Sequence, residues 1–281
     1  MNNTMGFFRE IDGLHDVEQF ETKKVSIQDT NGRSIPGVFS LQRTDTNKHL
    51  SVVKESYRPI QMDEMFEIID KASTKIGNIQ HTGWAESRAG RKMVLRSRLL
   101  SDIDLGGDII QPHFYTVIDN TGMGSNKSIA STLRVACDNA MHLIDTEGAI
   151  ARTSGVRHAL TFDGKIEAMI DNIRSNVNTT IKFGKVANKL RIEKFSREDM
   201  VELTNELIPV TDKDSTKRIN KREKLVELFT NGRGNVGESK WDALNAVTEY
   251  ETHTGKQSTE KFLRSFNTNT ISQRASNLLV A

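Results

Sequence analysis

The chain contains 281 residues, of which 36% are hydrophobic and 27% are charged. This length suits one large domain or a core domain with a smaller companion, and the composition excludes a largely disordered protein. No apolar run approaches the roughly 20 residues that span a bilayer, and the first residues lack the basic start and apolar stretch of a secretory signal. The single cysteine, Cys137, excludes an intramolecular disulfide framework and suits a reducing compartment. We therefore expect a soluble, cytoplasmic protein.

The net charge of +2 hides an uneven distribution of charged residues. Residues 1–21 carry a net charge of −4, because five acidic residues outnumber one arginine. Residues 182–197 and 213–224 carry net charges of +5 and +4. This asymmetry allows a basic surface for an acidic partner, although each cluster taken alone is also typical of a solvated helix face.

The first part of the chain shows patterns typical of antiparallel strands. Residues 1–22 are acidic and mixed, which indicates a short helix or an arm. Lys23–Ser40 alternates in hydrophobicity on either side of Asn31-Gly32, the dipeptide most typical of a hairpin turn. His49–Glu55 indicates a further strand, and Gln61–Ile76 has the apolar stripe of an amphipathic helix.

Two predicted strand pairs follow this helix. Ile79–Glu86 and Lys92–Leu100 flank the basic stretch Arg88-Ala-Gly-Arg-Lys92. Ile109–Asp119 and Ser128–Val135 form a hairpin around a loop of glycines and asparagines, residues that tolerate positive φ. These patterns predict an antiparallel sheet.

Beyond Val135 the pattern changes to helical spacing, which is carried by Ala136, Cys137, Ala140, Met141, Leu143 and Ile144. We therefore predict that the second strand leads directly into a helix, with Cys137 on its buried side. After a connection at Gly148–Gly155, the chain is predicted to be mostly helical, over Ile166–Leu190, Ser196–Leu207, Lys240–Tyr250 and Ser258–Leu279.

The predicted fold class is α+β, with an antiparallel sheet and hairpins in the first half packed by helices, followed by a mostly helical C-terminal region. We predict an N-terminal arm over residues 1–22, an α+β core domain over residues 23–207 and a helical region over residues 208–281.

The most basic surface of the predicted sheet lies at and beyond the Arg88–Lys92 turn. In a strand Lys92, Arg96 and Arg98 share one face, because side chains alternate. Such a face could bind phosphates, or it could be an outer face on which Lys and Arg discourage edge pairing. Trp84 could stack on a base, although a large aromatic beside a strand is more often part of the core.

No residue pattern carries a catalytic signature. The loop Asn231–Gly237 is rich in glycine, but Glu-Ser-Lys follows it in place of the Gly-Lys-Ser/Thr of a phosphate-binding loop. Glu249 and His253 lie four residues apart without a second histidine, so we expect a hydrogen-bonded surface pair. Turn chemistry also explains the three closely spaced aspartates better than a metal site does, namely Asp102, Asp104 and Asp108. We expect no enzyme activity, metal ion or cofactor.

Three stretches carry a resemblance to a known family. They are Leu50–Gln61 before the acidic helix, Arg134-Val-Ala-Cys-Asp-Asn139 after Gly124-Ser125, and Trp241–Tyr250 with His253 just beyond. Together they resemble uncharacterised proteins of phages, plasmids and prophages that are known only as a domain of unknown function. The resemblance covers the chain from about Asp45 to the C-terminus and departs from the usual form at Asn139-Ala140. It implies an intracellular protein of a mobile element, with no settled activity.

The predicted order of elements is also similar to the core of single-strand annealing proteins of the RecT and Red-beta type. That resemblance implies a homo-oligomeric ring or filament that holds single-stranded DNA by its phosphates in a basic groove. Our first hypothesis is therefore a phage-encoded, non-enzymatic annealing protein of DNA recombination. The residues expected to contact DNA are Arg88, Arg91, Lys92, Arg96, Arg98, Lys127, Arg134, Lys182, Lys185 and Lys189, with the 213–224 cluster as another possible extension.

Two alternatives stay open at this point. The first is a host-takeover or anti-defence factor that binds a protein through the sheet and the 241–250 segment. The second, less favoured, is a metal-dependent nuclease that uses the three aspartates or Glu249.

Overall fold

The computed structural model describes residues 7–134, 139–142, 162–210, 215–255, 258–265 and 270–280. The strands in these residues are β1 (Arg9–Glu10), β2 (Thr22–Gln28), β3 (Ser34–Arg43), β4 (His49–Lys54), β5 (Ile79–Glu86), β6 (Lys92–Leu99), β7 (Ile103–Asp104), β8 (Ile109–Asp119), β9 (Lys127–Arg134) and β10 (Asn139–His142). The helices are α1 (Met62–Ile76), α2 (Phe162–Ile192), α3 (Arg197–Leu207), α4 (Ser215–Asn231), α5 (Lys240–His253), α6 (Thr259–Ser265) and α7 (Ile271–Val280). The predicted α+β class is confirmed.

The strands form two antiparallel sheets. The larger sheet has the order β1-β5-β6-β8-β9-β10, with β7 paired to the start of β8, and the smaller sheet has the order β2-β3-β4. The hairpin predicted at Asn31-Gly32 joins β2 to β3, and the pair β8–β9 is the hairpin predicted around residues 120–126. The described part of the N-terminal arm contacts the chain's own sheet, because β1 pairs with β5.

The two faces of the larger sheet are covered by different elements. Helices α1 and α2 pack on the face that carries Met93, Leu95, Phe114 and Ile118. The opposite face carries Val94, Tyr115, Val117 and Ile129, and is covered by Phe8 of the N-terminal arm and Phe262 of α6. Because both faces are covered, nearly every residue of β8 is buried.

Helix α1 forms where the sequence predicts it, and its apolar stripe explains its position. Met65, Phe66 and Ile69 are buried against the sheet. Asp63 and Glu64 occupy the first turn, where their negative charges interact favourably with the helix dipole. Trp84 of β5 is buried and packs edge-on against Phe66, with 5.8 Å between ring centroids. The core assignment of Trp84 is therefore confirmed.

The C-terminal helices form a second apolar core around α5. Phe183 and Leu190 of α2 join this core together with Met200 of α3, Phe229 of α4 and Trp241 of α5. Helix α3 begins at the capping box of Ser196 and Asp199, where the predicted helix Ser196–Leu207 also begins. No helix among the described residues combines the length and hydrophobicity that crossing a membrane requires.

The predicted helix after the second strand is wrong where the structure describes it. Asn139–His142 is the strand β10, which pairs with β9 from Asn139 opposite Arg134. The apolar spacing that suggested a helix is overridden because pairing satisfies the backbone groups of β9, which would otherwise form a sheet edge. The rest of that prediction, including Cys137, and the connection at 148–155 lie outside the described residues.

Candidate nucleic-acid interface

Two turns at one end of the larger sheet are joined by hydrogen bonds. The turn between β5 and β6 contains Gly90 and Arg91, and the turn between β8 and β9 begins at Asn120. The backbone N–H of Asn120 donates to the carbonyl of Arg91 at 3.0 Å, and its side-chain amide donates to the carbonyl of Gly90 at 2.9 Å. The amide is buried, so these bonds hold the two turns in a fixed relative position.

The β8–β9 turn is also organised from within. Asp119 Oδ1 accepts hydrogen bonds from the backbone N–H and the hydroxyl of Thr121. Asn126 Oδ1 accepts from the Asp119 N–H at 2.8 Å, which closes the turn. The carbonyl of Thr121 accepts from Ser51 Oγ at 2.5 Å, so β4 supports the turn from outside.

Helix α6 forms the third wall of this region. Glu260 Oε1 accepts from the backbone N–H of Arg88 at 2.8 Å, and this hydrogen bond is the main cause that lowers the pKa of Glu260 below its ordinary value. Phe262 anchors the helix by packing against Tyr115, with 4.7 Å between ring centroids. Residues 88 and 260 are thus brought together although 172 positions separate them.

These three walls enclose a cavity of about 460 Å³, which we call the basic turn pocket. It is lined by Ser87, Arg88, Arg91, Lys92, Asp119, Thr121, Met123, Gly124, Glu260, Leu263 and Arg264. Four of these residues are cationic and two are acidic. Arg88, Arg91 and Lys92 were predicted to contact DNA, whereas Arg264 was not.

The strand register places two lysines at or near the pocket. Lys92 lies opposite Asp119, and Lys127 lies opposite Val117 on the same face of the sheet. Lys92 Nζ is 3.4 Å from Asp119 Oδ2. The pKa of Lys127 is lowered, first by burial and then by the charge of Lys92, and Asp119 opposes this shift. Lys127 is therefore close to the charges of the pocket without lining it.

A tyrosine supports the pocket from behind. Burial raises the pKa of Tyr57 to about 12, and the nearby charge of Asp119 adds to the shift. A Cβ placed on Gly122 would lie 2.6 Å from Tyr57 Cζ, so the tyrosine ring lies directly against the turn. Tyr57 belongs to the Leu50–Gln61 stretch that carries the family resemblance.

Arg96 and Arg98 share a sheet face with Lys92, as predicted. However, the part of this face that lies between the two arginines and the pocket is covered. The Arg96 guanidinium binds both carboxylate oxygens of Glu10 at 2.8 and 2.9 Å and lies over the Phe8 ring. Its side chain is only 12% exposed. Arg98 binds Asp102 at 2.9 Å. Both arginines therefore form intramolecular ion pairs rather than an open basic surface.

The other predicted contacts lie elsewhere. Arg134 ends β9 opposite Ile110, at the far end of the sheet from Lys127. The first half of α2 packs near Ile118, whereas its second half packs near Ile110, so its exposed lysines also lie towards that far end, namely Lys182, Lys185 and Lys189. Nine residues of strand place this end about 30 Å from the pocket.

The 213–224 cluster is partly used within the chain. Arg218 and Arg222 donate to the carbonyls of Pro209 and Ile208, and Lys221 Nζ lies 5.1 Å from the centre of the Tyr250 ring. Residues 213 and 214 lie outside the described residues. The structure thus brings Arg88, Arg91, Lys92 and Lys127 together and leaves the remaining predicted contacts apart.

The carboxylates considered for a metal site each have a separate structural partner. Asp102 pairs with Arg98, Asp104 Oδ1 accepts from the Gly107 N–H at 2.6 Å, and Asp108 Oδ2 accepts from the Trp241 indole at 2.7 Å. In the described parts of the chain, no group of three or more His, Cys, Asp or Glu side chains is placed to hold a metal ion.

One expectation for the C-terminal helices is wrong. Glu249 is not part of a surface pair, because it is buried and accepts from the Arg233 N–H at 3.1 Å. Residues 241–249, which the protein-binding alternative would use, are buried within the second apolar core around α5. The aromatic and aliphatic residues of this segment fill the space between four helices.

The fold and the pocket together define an α+β protein with a cationic pocket at one end of an antiparallel sheet. The chain belongs to the family described as Domain of unknown function (DUF932), whose model matches residues 49–278. This match includes both turns and α6. No curated protein and no solved structure gives a significant match to the chain.

Proposed function

We propose that this protein binds single-stranded DNA by its phosphates at the basic turn pocket and acts in strand annealing, without enzymatic activity. The observation that carries the proposal is the convergence of four cations from two separate segments around one cavity, with Lys127 close by: Arg88, Arg91 and Lys92 come from the β5–β6 turn and the start of β6, and Arg264 comes from α6. Guanidinium and ammonium groups are the side chains that neutralise phosphates in nucleic-acid complexes.

The exposure of the arginines supports this proposal. Arg88, Arg91 and Arg264 are exposed at the mouth of the pocket, where a strand can reach them. The turn that carries Arg88 and Arg91 is held by the hydrogen bonds of Asn120 and Glu260, so these positive charges are positioned before any ligand binds. Binding through phosphates is tolerant of sequence, as annealing requires.

The wider context is proposed from the resemblances. The described order of α1, the β5–β6–β8–β9 strands and α2 is the order expected for the annealing-protein core. We place the protein in a phage or another mobile element, in the cytoplasm of its bacterial host. It would act as a homo-oligomer, because a ring or filament aligns many pockets along one strand.

Charge reversal in the pocket tests the proposal. We expect Arg88→Glu/Arg91→Glu to weaken binding to single-stranded DNA and to reduce the slope of log K against log salt by about 0.7 for each phosphate that is no longer neutralised. Fluorescence anisotropy over a salt titration measures both quantities, and light scattering on the same sample gives the oligomer mass.

The matched control is Arg33→Glu, which reverses an exposed charge at the tip of the β2–β3 hairpin and should leave affinity nearly unchanged. Arg96→Glu is a poorer probe, because it would also break the ion pair with Glu10 and destabilise the fold. The absence of binding by the wild-type protein at low salt would contradict the proposal and favour the protein-binding alternative.

A further inference from the structure

The basic turn pocket contains a buried carboxylate that phosphate binding does not require. The exposure of its lining residues falls from the mouth inwards: Arg91 and Arg264 are exposed, Met123 is 81% exposed, and Asp119 and Thr121 are each 4% exposed. A phosphate bound beside Asp119 would be repelled by it. The inner part of the pocket therefore suits a different chemical group from the mouth.

One oxygen of Asp119 retains capacity to accept a hydrogen bond. Oδ1 already accepts from the backbone and the hydroxyl of Thr121. Oδ2 has Lys92 Nζ at 3.4 Å, which is longer than a normal charge-assisted hydrogen bond. Each carboxylate oxygen has two lone pairs, so a donor from a ligand can be added at Oδ2.

The backbone of Gly124 packs closely against this oxygen. A Cβ at position 124 would lie 2.5 Å from Asp119 Oδ2, closer than a Cβ can approach, so a side chain here would displace the acceptor. Met123 and Leu263 provide apolar surface to the same pocket. The lining thus combines cations at the mouth, apolar side chains and a buried acceptor.

This arrangement matches the chemistry of a nucleotide. Its phosphate carries the negative charge, its base has apolar faces, and the edge of the base carries hydrogen-bond donors. Carboxylates accept from the exocyclic amino group of cytosine, whereas thymine has a carbonyl oxygen at that position. Such an oxygen would face Asp119 Oδ2 unfavourably.

We propose that Asp119 reads the exocyclic amino group of a base held in the basic turn pocket, so that the protein binds strands of cytosine more tightly than strands of thymine. This inference rests on the proposed function, because the phosphates must first hold the strand at the mouth. The contact with Asp119 adds a preference for the base that lies in the pocket, whereas the other bases of the strand are not recognised.

The test compares the affinities of short oligo-dC and oligo-dT of equal length at slightly alkaline pH. The expected preference for oligo-dC is about fivefold, the factor for one net hydrogen bond. A second ligand comparison replaces cytosine by 2-pyrimidinone, which lacks only the amino group, and should remove the preference. This comparison needs no variant protein and so does not depend on any variant folding.

Asp119→Asn provides the matching change in the protein. The asparagine oxygen can keep the hydrogen bonds of Thr121, while its amide nitrogen donates where Oδ2 accepted. The preference for oligo-dC should be lost in this variant. Asp104→Asn removes the same charge at the opposite end of β8 and should keep the preference.

The outcomes separate this inference from the proposed function. Equal, salt-dependent affinity for oligo-dC and oligo-dT would overturn the base preference and leave DNA binding intact. A preference that persists with 2-pyrimidinone or in folded Asp119→Asn would also overturn the role of Asp119. The absence of binding to either oligomer at low salt would overturn both proposals.

Discussion

Gly122 and Gly32 have nearly the same positive φ, +70° and +78°, in very different surroundings. Gly32 lies in the exposed β2–β3 turn, where an added Cβ would meet nothing within 4 Å. At Gly122 the added Cβ would collide with the ring of Tyr57 at 2.6 Å. The β2–β3 turn therefore requires glycine only for its backbone conformation. The β8–β9 turn requires it both for its backbone conformation and for close packing against Tyr57.

Alanine at these two positions should separate the two effects. We expect Gly32→Ala to lower the free energy of unfolding by about 1 kcal/mol, the cost of a left-handed backbone at a residue with a Cβ. Gly122→Ala should cost about 3 kcal/mol, because Tyr57 and the turn must also move apart. Urea denaturation of both variants measures the difference, and equal losses would show that Tyr57 adjusts without cost.

At the scale of elements, two helices begin with the same capping box in different environments. In α3 the Asp199 carboxylate accepts from the Ser196 N–H at 2.8 Å at an exposed site, and this bond is the main cause that lowers the pKa of Asp199. In α5 the Asp242 carboxylate is buried. It accepts from the backbone N–H groups of Glu238 and Ser239 and from the Ser239 hydroxyl, at 2.9–3.2 Å. The cap of α5 therefore also organises the loop before it.

Removal of these carboxylates should have unequal effects. We expect Asp242→Ala to destabilise the protein by about 3 kcal/mol, because buried N–H groups lose their acceptor and α5 loses its N-terminal cap. Asp199→Ala should cause a clearly smaller loss, since water can replace the exposed carboxylate. Thermal and chemical unfolding measure both variants. A larger loss for Asp199→Ala would contradict this view of the two caps.

At the scale of the whole molecule, two buried histidines make folding depend on pH. Burial lowers the pKa of His81 and of His113 from the ordinary 6.5 to about 4. His81 Nδ1 lies 2.8 Å from Ser97 Oγ, and His113 Nδ1 lies 3.1 Å from the Gln111 carbonyl, so each ring has a partner within the sheet. Both imidazole rings are therefore neutral in the folded protein.

Acid should therefore destabilise the fold in a defined window. Between pH 6.5 and about 4 the unfolded chain binds protons that the folded chain does not, so the free energy of unfolding falls as the pH falls. Above pH 6.5 this effect does not reduce the free energy of unfolding. As the pH approaches 4, the reduction reaches up to about 3 kcal/mol for each histidine.

Denaturant unfolding across this pH range measures the effect. His81→Gln should flatten the dependence, whereas substitution of the exposed His15 should leave it unchanged. A free energy of unfolding that stays constant from pH 6.5 to about 4 would contradict the assignment of both rings as neutral groups.

Local patterns in the sequence were enough to predict most elements. Local strand patterns predicted β5, β6 and β8, the Asn31-Gly32 dipeptide predicted the first hairpin, and the apolar stripe of Gln61–Ile76 predicted α1. These predictions succeeded because each pattern is set by neighbouring residues. The prediction failed at Asn139–His142, where pairing with β9 outweighs the local helical spacing.

By itself, the sequence determined the α+β class and the basic stretch Arg88–Lys92, because both depend on residues that are close in the chain. The tertiary structure alone decided which cations share a pocket. It placed α6 beside the two turns, which added Glu260 and Arg264, and it paired Arg96 with Glu10. Such contacts join residues separated by as many as 172 positions, and they are set by the packing of Phe262 and Phe8 on one sheet face rather than by any local pattern.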